Sequence, residues 1–179
     1  MTGLLVGAVF GAVFVLVNAG GPLGGTVAGV LRVAACLGAA GVVAMWFMTV
    51  RGERRSGQPQ GPGMYGRGYL LIVLAEVVLL FGGLRVLAAL GAPEQANVAW
   101  VAFVVGVHFV ALAPVWKDWT IAVPGAVLAL LGVAGFALAG TSALAWVPIV
   151  SGVASGVVLL AASLTTGWRT MAGLSAARA

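Results

Sequence analysis

Glu76 is the residue of this chain with the clearest potential for chemistry. It is the single charged residue in the apolar run 70–81. On lenient insertion scales a charged side chain at the centre of a membrane helix costs about 2.5–3.5 kcal/mol. Such a carboxyl group is therefore paired, hydrated by a cavity, or kept protonated. Each arrangement suits a side chain that handles protons or ions.

His108 is the predicted partner of this carboxyl group. Glu76 lies roughly 10 Å from one end of its predicted helix, and His108 lies about 12 Å from the adjoining end of the next, antiparallel helix. The two side chains are thus expected at one depth, where pairing would offset the cost of burying either and form a proton-handling unit. A histidine with a purely structural role is the alternative interpretation.

A second acid, Asp118, lies in the segment 116–119 (WKDW) at the end of the fourth predicted helix. Tryptophans beside charges are typical of an interfacial belt, and they also fit a cavity mouth in which Asp118 acts as an acid. We expect Trp46 and Tyr69 near the same level, where aromatic faces would stabilise a cation.

Two arginines also fall within apolar segments. Arg32 is the deeper one and is expected to pair with Asn18, Glu94 or a backbone carbonyl. Arg85 lies on the opposite side of its helix from Glu76 and close to the helix end, so its side chain can extend to the membrane surface.

The composition places these residues in a membrane protein. Of 179 residues, 62% are hydrophobic and 7% are charged, whereas soluble domains carry about 25% charged residues. Most of the apolar runs approach the roughly 20 residues that cross a bilayer as a helix. The chain is therefore predicted to be all-α, a single transmembrane domain over 1–179 with six transmembrane helices. The runs are 3–18, 23–50, 69–90, 96–116, 120–140 and 143–166.

The distribution of basic residues predicts the orientation. Lys and Arg concentrate in the loop after the second segment, in the loop after the fourth and in the C-terminal tail. By the positive-inside rule, both termini are expected to be cytoplasmic, in a multi-pass protein of the inner (cytoplasmic) membrane. Residues 51–68, rich in Gly, Arg and Pro, are predicted to form a flexible cytoplasmic loop. This distribution explains the net charge of +5 without nucleic-acid binding.

Glycines four residues apart predict close contacts between helices. They occur as Gly3, Gly7 and Gly11 in the first segment, as Gly25 and Gly29 in the second, and as Gly152 and Gly156 in the sixth. A face for self-association is the alternative interpretation of the same spacing.

The sequence lacks several motifs of known chemistry. It has no His/Cys/Asp/Glu spacing typical of a metal site, and no P-loop, dinucleotide fingerprint or nucleophile elbow. No cofactor is therefore predicted. Acid–base chemistry on a hydrophobic small molecule, or transport, is what the remaining polar residues support.

Two resemblances extend this reasoning. The stretches 106–114 (GVHFVALAP) and 71–76 (LIVLAE) resemble a group of small bacterial multi-helix membrane proteins, with the similarity covering about 69–166. In size, helix count and an acid within an apolar bundle, the chain also resembles actinobacterial membrane terpene cyclases that act on prenylated indoles. That resemblance implies protonation of an alkene or epoxide, ring closure through a cation, and deprotonation.

The leading hypothesis is accordingly a metal-independent terpene cyclase acting on a substrate such as a farnesylated indole. Glu76 or Asp118 would be the general acid, and His108 would support it. The predicted lining of the cation path is aromatic: Trp46, Tyr69, Phe103, Phe109, Trp116 and Trp119. A proton-coupled transporter or channel and a structural accessory protein are the alternatives. The sequence leaves the number of copies open.

Overall fold

Six α-helices form in the computed structural model, which describes residues 2–56 and 66–176. This confirms the all-α prediction. The helices are α1 (Thr2–Asn18), α2 (Gly25–Ser56), α3 (Arg67–Ala89), α4 (Gln95–Trp116), α5 (Ala122–Ala139) and α6 (Ala154–Ala176).

Five helical segments of the described chain are long and apolar enough to cross a membrane: 25–51, 67–89, 95–116, 119–139 and 144–173. The helix at the N-terminus is equally apolar but shorter, with 17 residues in α1. A small multi-pass membrane protein is thereby supported, while its orientation stays a prediction. Helix α2 continues through Ser56, into the predicted loop 51–68, and α3 begins at Arg67. Residues 57–65 of that loop lie outside the described part.

The helices pack in an order that leaves α2 and α3 on separate flanks. Helices α4 and α5 make the most extensive contact, and α3 packs chiefly against α4. Helix α1 packs against α6 and α2, and α2 also contacts α6. The two groups meet at a π-helical turn, Pro148–Val153, which precedes α6 and touches α1, α4 and α5.

Glycines set the closest of these helix contacts. A Cβ on Gly11 would lie 2.8 Å from the Gly156 carbonyl oxygen, so the close helix contact predicted for each of these two glycines is confirmed, and it joins α1 to α6. A Cβ on Gly3 would meet nothing within 4 Å, so the expectation for that glycine is wrong. The expectation for α2 is wrong, because a Cβ on Gly25 or Gly29 would meet nothing within 4 Å. Both face away from α1 and α6. Their spacing is nevertheless the one that brings helices together elsewhere in the chain.

Pro148 lies within the last membrane span, 144–173. It occupies the first position of the π-helical turn, one residue after a short 3₁₀ turn, Leu144–Trp146. Proline is tolerated there because its missing N–H is not needed at the start of a helix.

Candidate functional site

Helices α3 and α4 meet along a row of three side-chain contacts, here called the α3–α4 seam. On α3 its members are seven residues apart, and on α4 they are eight apart. Seven residues correspond to about two helical turns, so the α3 set lies on one side of its helix, whereas the eight-residue spacing turns each α4 member by about 80° relative to the one before it. The seam consists of the contacts Tyr69–Trp116, Glu76–His108 and Gly83–Trp100.

The middle contact brings together the predicted acid and histidine. Nδ1 of His108 lies 3.0 Å from Oε2 of Glu76, with 12% of the histidine side chain and 22% of the glutamate side chain exposed. The contact is within ion-pair distance, but Nδ1 makes no hydrogen bond of acceptable direction within the described residues. A hydrogen bond weakens steeply as its angle departs from linear. The pair is therefore a contact at ion-pair distance without a well-directed hydrogen bond.

An aromatic stack lies on one side of the pair. The rings of Tyr69 and Trp116 are stacked with centroids 6.0 Å apart and planes inclined by 16°. Tyr69 is seven residues before Glu76, hence about 10 Å from it along the helix and on the same side. These are two of the predicted aromatic residues, and they lie where α3 begins and α4 ends.

Trp100 closes the seam on the other side. Its indole ring occupies the space that a Cβ on Gly83 would take, and its Nε1 donates a hydrogen bond to the Leu79 carbonyl oxygen at 3.0 Å. Sequence reasoning did not single out Trp100 or Gly83. The signal that was present is the heptad recurrence of Tyr69, Glu76 and Gly83 along α3, which is typical of a helix packing on one neighbour.

Removing the indole donor is expected to weaken the attachment of α3. Trp100→Phe should lower stability by about 1 kcal/mol, because the Leu79 carbonyl loses a hydrogen bond while the aromatic packing is largely kept. Thermal unfolding in detergent measures this loss. Trp168→Phe is the matched control, since Trp168 is 70% exposed. Equal melting temperatures for the two variants would contradict a stabilising role for the Trp100 hydrogen bond.

Asp118 lies outside the seam. It follows the end of α4, and its carboxylate accepts hydrogen bonds from the backbone N–H and the hydroxyl of Thr120. It thereby caps the short 3₁₀ turn Trp119–Ile121 that leads into α5. Capping is the contact that the structure gives this exposed side chain, and its role as an acid stays a prediction.

The other predicted aromatic residues do not surround Glu76. Trp46 packs edge-on against Phe47 on α2, which belongs to the other group of helices. Phe103 lies beside Trp100 with ring centroids 5.9 Å apart. Phe109 touches the His108 ring edge-on at 5.8 Å, but its Cβ packs against Gly125 of α5.

Trp119 is the most exposed of the predicted lining residues, at 67%. It lies in the 3₁₀ turn after α4, next to Asp118. The structure thus brings Tyr69 and Trp116 into the seam with the acid. The remaining predicted aromatics lie on other contacts of the bundle.

The two arginines differ in their contacts. Arg32 donates a hydrogen bond to the Ala19 carbonyl oxygen at 2.6 Å, so of the three predicted partners it takes the backbone carbonyl. It thereby satisfies a carbonyl just beyond the end of α1. Arg85 is exposed on α3 and has no hydrogen-bond or ion-pair partner in the described residues.

Two shallow apolar grooves open on the described surface, one along α3 and one along α2. Neither is lined by Glu76 or His108.

Comparison with known proteins gives no relative: no protein-family model, no curated protein and no solved structure matches the chain. The function is accordingly argued from the seam.

Proposed function

We propose that this protein is a small proton-coupled transporter or channel in which Glu76 and His108 form the proton relay. The observation that carries the proposal is the 3.0 Å contact between Oε2 and Nδ1 within two apolar helices. Ionisable residues at such positions are costly, and they mark ion pathways and proton relays in membrane proteins.

The pair suits proton exchange because its total charge can stay at zero within the membrane. With a proton on the imidazole, the carboxylate and imidazolium neutralise each other. With the same proton on the carboxyl group, both groups are neutral. Histidine serves as a proton shuttle in many proteins because its imidazole both accepts and donates protons. A turn of the imidazole that aligns Nδ1 with Oε2 would let the proton shift between them without leaving an isolated charge in lipid.

The contacts on either side support the same role. The Tyr69–Trp116 stack and the Trp100 indole flank the pair along the seam. Aromatic rings on both sides limit how much water reaches the pair, and exclusion of water strengthens its electrostatic interaction. The Glu76 side chain is 22% exposed, and protons would enter and leave the pair on that exposed side.

Proton flux into proteoliposomes tests this proposal. With a pH gradient and an entrapped pH-sensitive dye, wild-type protein should conduct faster than protein-free liposomes, and Glu76→Gln should lower the flux about tenfold because it removes the proton carrier. Glu94→Gln is the matched control, as it neutralises an exposed acid at the start of α4. Full flux in Glu76→Gln, or no wild-type flux, would overturn the proposal.

A second candidate is the terpene cyclase, favoured by the stack of Tyr69 on Trp116 on the same side of α3 as Glu76. In this reaction the Glu76 carboxyl group would donate its proton to an alkene or epoxide, and the resulting cation would close a ring. The cyclic cation would then lose a proton to the Glu76 carboxylate, which restores the acid directly, or to His108, which would pass that proton on to Glu76. Aromatic faces stabilise such cations.

Incubation of membranes with a farnesylated indole distinguishes the two candidates. A cyclised product of unchanged mass that disappears in Glu76→Gln would favour the cyclase. Proton flux without any product would favour the transporter.

A further inference from the structure

The groove along α3 has the dimensions of a lipid acyl chain. It encloses about 370 Å³ and is lined by apolar side chains from Val78 to Leu87, with the rings of Trp100 and Phe136 along one side. The ten residues from Val78 to Leu87 span about 13 Å of helix. Half of a hydrocarbon core about 30 Å thick measures about 15 Å. The groove therefore matches the reach of one chain in one leaflet.

Arg85 lies at the rim of this groove. It is three residues after Gly82 and seven after Val78, both of which line the groove, so it lies on the same flank of α3. It is about 6 Å from the end of the helix at Ala89, a depth from which an arginine reaches the membrane surface. Its guanidinium has no partner in the described residues. A planar guanidinium binds phosphate oxygens with two parallel hydrogen bonds.

The groove along α2 provides a contrast. It is also apolar and includes Gly29 and Val33, on either side of Arg32 in the sequence. The guanidinium of Arg32, however, already donates to the Ala19 carbonyl oxygen. Of these two grooves, the one along α3 therefore has an arginine without a partner beside it. That positive charge complements the negative charge of an acidic headgroup.

We propose that the groove along α3 is a binding site for one anionic phospholipid, with an acyl chain along Val78–Leu87 and the phosphate on Arg85. Basic residues at the surface ends of transmembrane helices bind acidic headgroups in this manner. The site shares no residue with the Glu76–His108 pair, so it does not depend on the proposed function.

Native mass spectrometry of the purified protein with added phosphatidylglycerol tests the headgroup contact. Wild-type protein should retain one molecule of phosphatidylglycerol more tightly than it retains phosphatidylcholine. Inorganic phosphate should not displace the bound phosphatidylglycerol. Arg85→Gln should weaken phosphatidylglycerol binding about tenfold, the effect of losing a charge-assisted hydrogen bond. Arg169→Gln, at another exposed arginine, should bind as wild type. Equal binding by Arg85→Gln and wild type would overturn the site.

Gly82→Leu tests the acyl-chain contact. A Cβ on Gly82 would meet nothing within 4 Å, so the added side chain enters the groove without striking the protein. This variant should also lower lipid retention, while Gly29→Leu, which fills the α2 groove without a clash, should not. Unchanged lipid retention in Gly82→Leu would overturn the proposal, as would a change in the number of associated copies without any loss of lipid. If Gly82→Leu fails to fold, the result with Arg85→Gln decides.

Discussion

Replacing His108 with leucine is expected to destabilise the folded protein by about 2–3 kcal/mol, because the Glu76 carboxylate is left without its partner in an apolar seam. Removing one member of a fully buried pair costs more, about 3–5 kcal/mol. The lower figure applies here because 22% of the Glu76 side chain is exposed. Equilibrium unfolding in mixed detergent micelles measures this loss.

The double variant Glu76→Leu/His108→Leu is the control for this prediction. With both polar groups gone, the seam is apolar throughout, and most of the lost stability should return. A double-mutant cycle should therefore give a clear coupling between the two positions, as expected for residues in contact. Additive effects of the two single substitutions would contradict the pairing.

The same variants separate a relay from a purely structural pair. Glutamine at position 76 keeps a polar oxygen near His108 but carries no titratable proton, so Glu76→Gln should lower flux more than it lowers stability. If the pair only fastens α3 to α4, the loss should appear in unfolding and no proton flux should be measured for wild type. The accessory interpretation then replaces the transporter.

The position of the pair was predictable from the sequence because it depends on counting alone. A helix rises about 1.5 Å per residue, so two residues at similar distances from the ends of antiparallel neighbours reach the same depth. The capping role of Asp118 was also predictable from the sequence. Asp118 is followed two residues later by Thr120 and then by an apolar run. An acid directly after a helix end is often a cap for the next turn, and that weighs against assigning Asp118 to chemistry.

Which aromatic residues face Glu76 was not predictable, because this depends on the rotation of each helix about its axis. Phe103 and Phe109 share α4 with His108, yet Phe109 packs towards α5. A change of one residue turns a side chain by about 100° around the axis. Depth therefore leaves the direction of a side chain open, and direction decides whether a ring faces Glu76.

The glycines show the same limitation. Gly25 and Gly29 have the spacing of a packing motif but contact no other helix closely, whereas Gly106 and Gly125 lie at a close backbone contact between α4 and α5 without belonging to such a motif. The four-residue spacing of glycines is a property of one helix, whereas a close approach of two helices needs small residues on both of them. The contact between α4 and α5 therefore emerges only when the two helices are placed together.

Replacing Gly106 with alanine is expected to cost about 3 kcal/mol or more, at the upper end of the range for overpacked cores. A Cβ there would lie 2.6 Å from the Gly125 carbonyl oxygen and 2.8 Å from the Ala129 Cα. These are backbone atoms, so no side chain can rotate away, and α4 and α5 must separate. Because α3 is attached chiefly through α4, the Glu76–His108 contact depends on this packing.

Gly29→Ala is the matched control, since a Cβ there would meet nothing within 4 Å. Alanine is the better helix former, so this variant should be more stable than wild type by about 0.5–1 kcal/mol. The free energy of unfolding in mixed micelles should thus fall for Gly106→Ala and rise for Gly29→Ala, although both substitutions replace glycine with alanine. A Gly106→Ala variant as stable as wild type would mean that α4 and α5 do not approach this closely. The seam would then lack the rigid support on which the proposed relay depends.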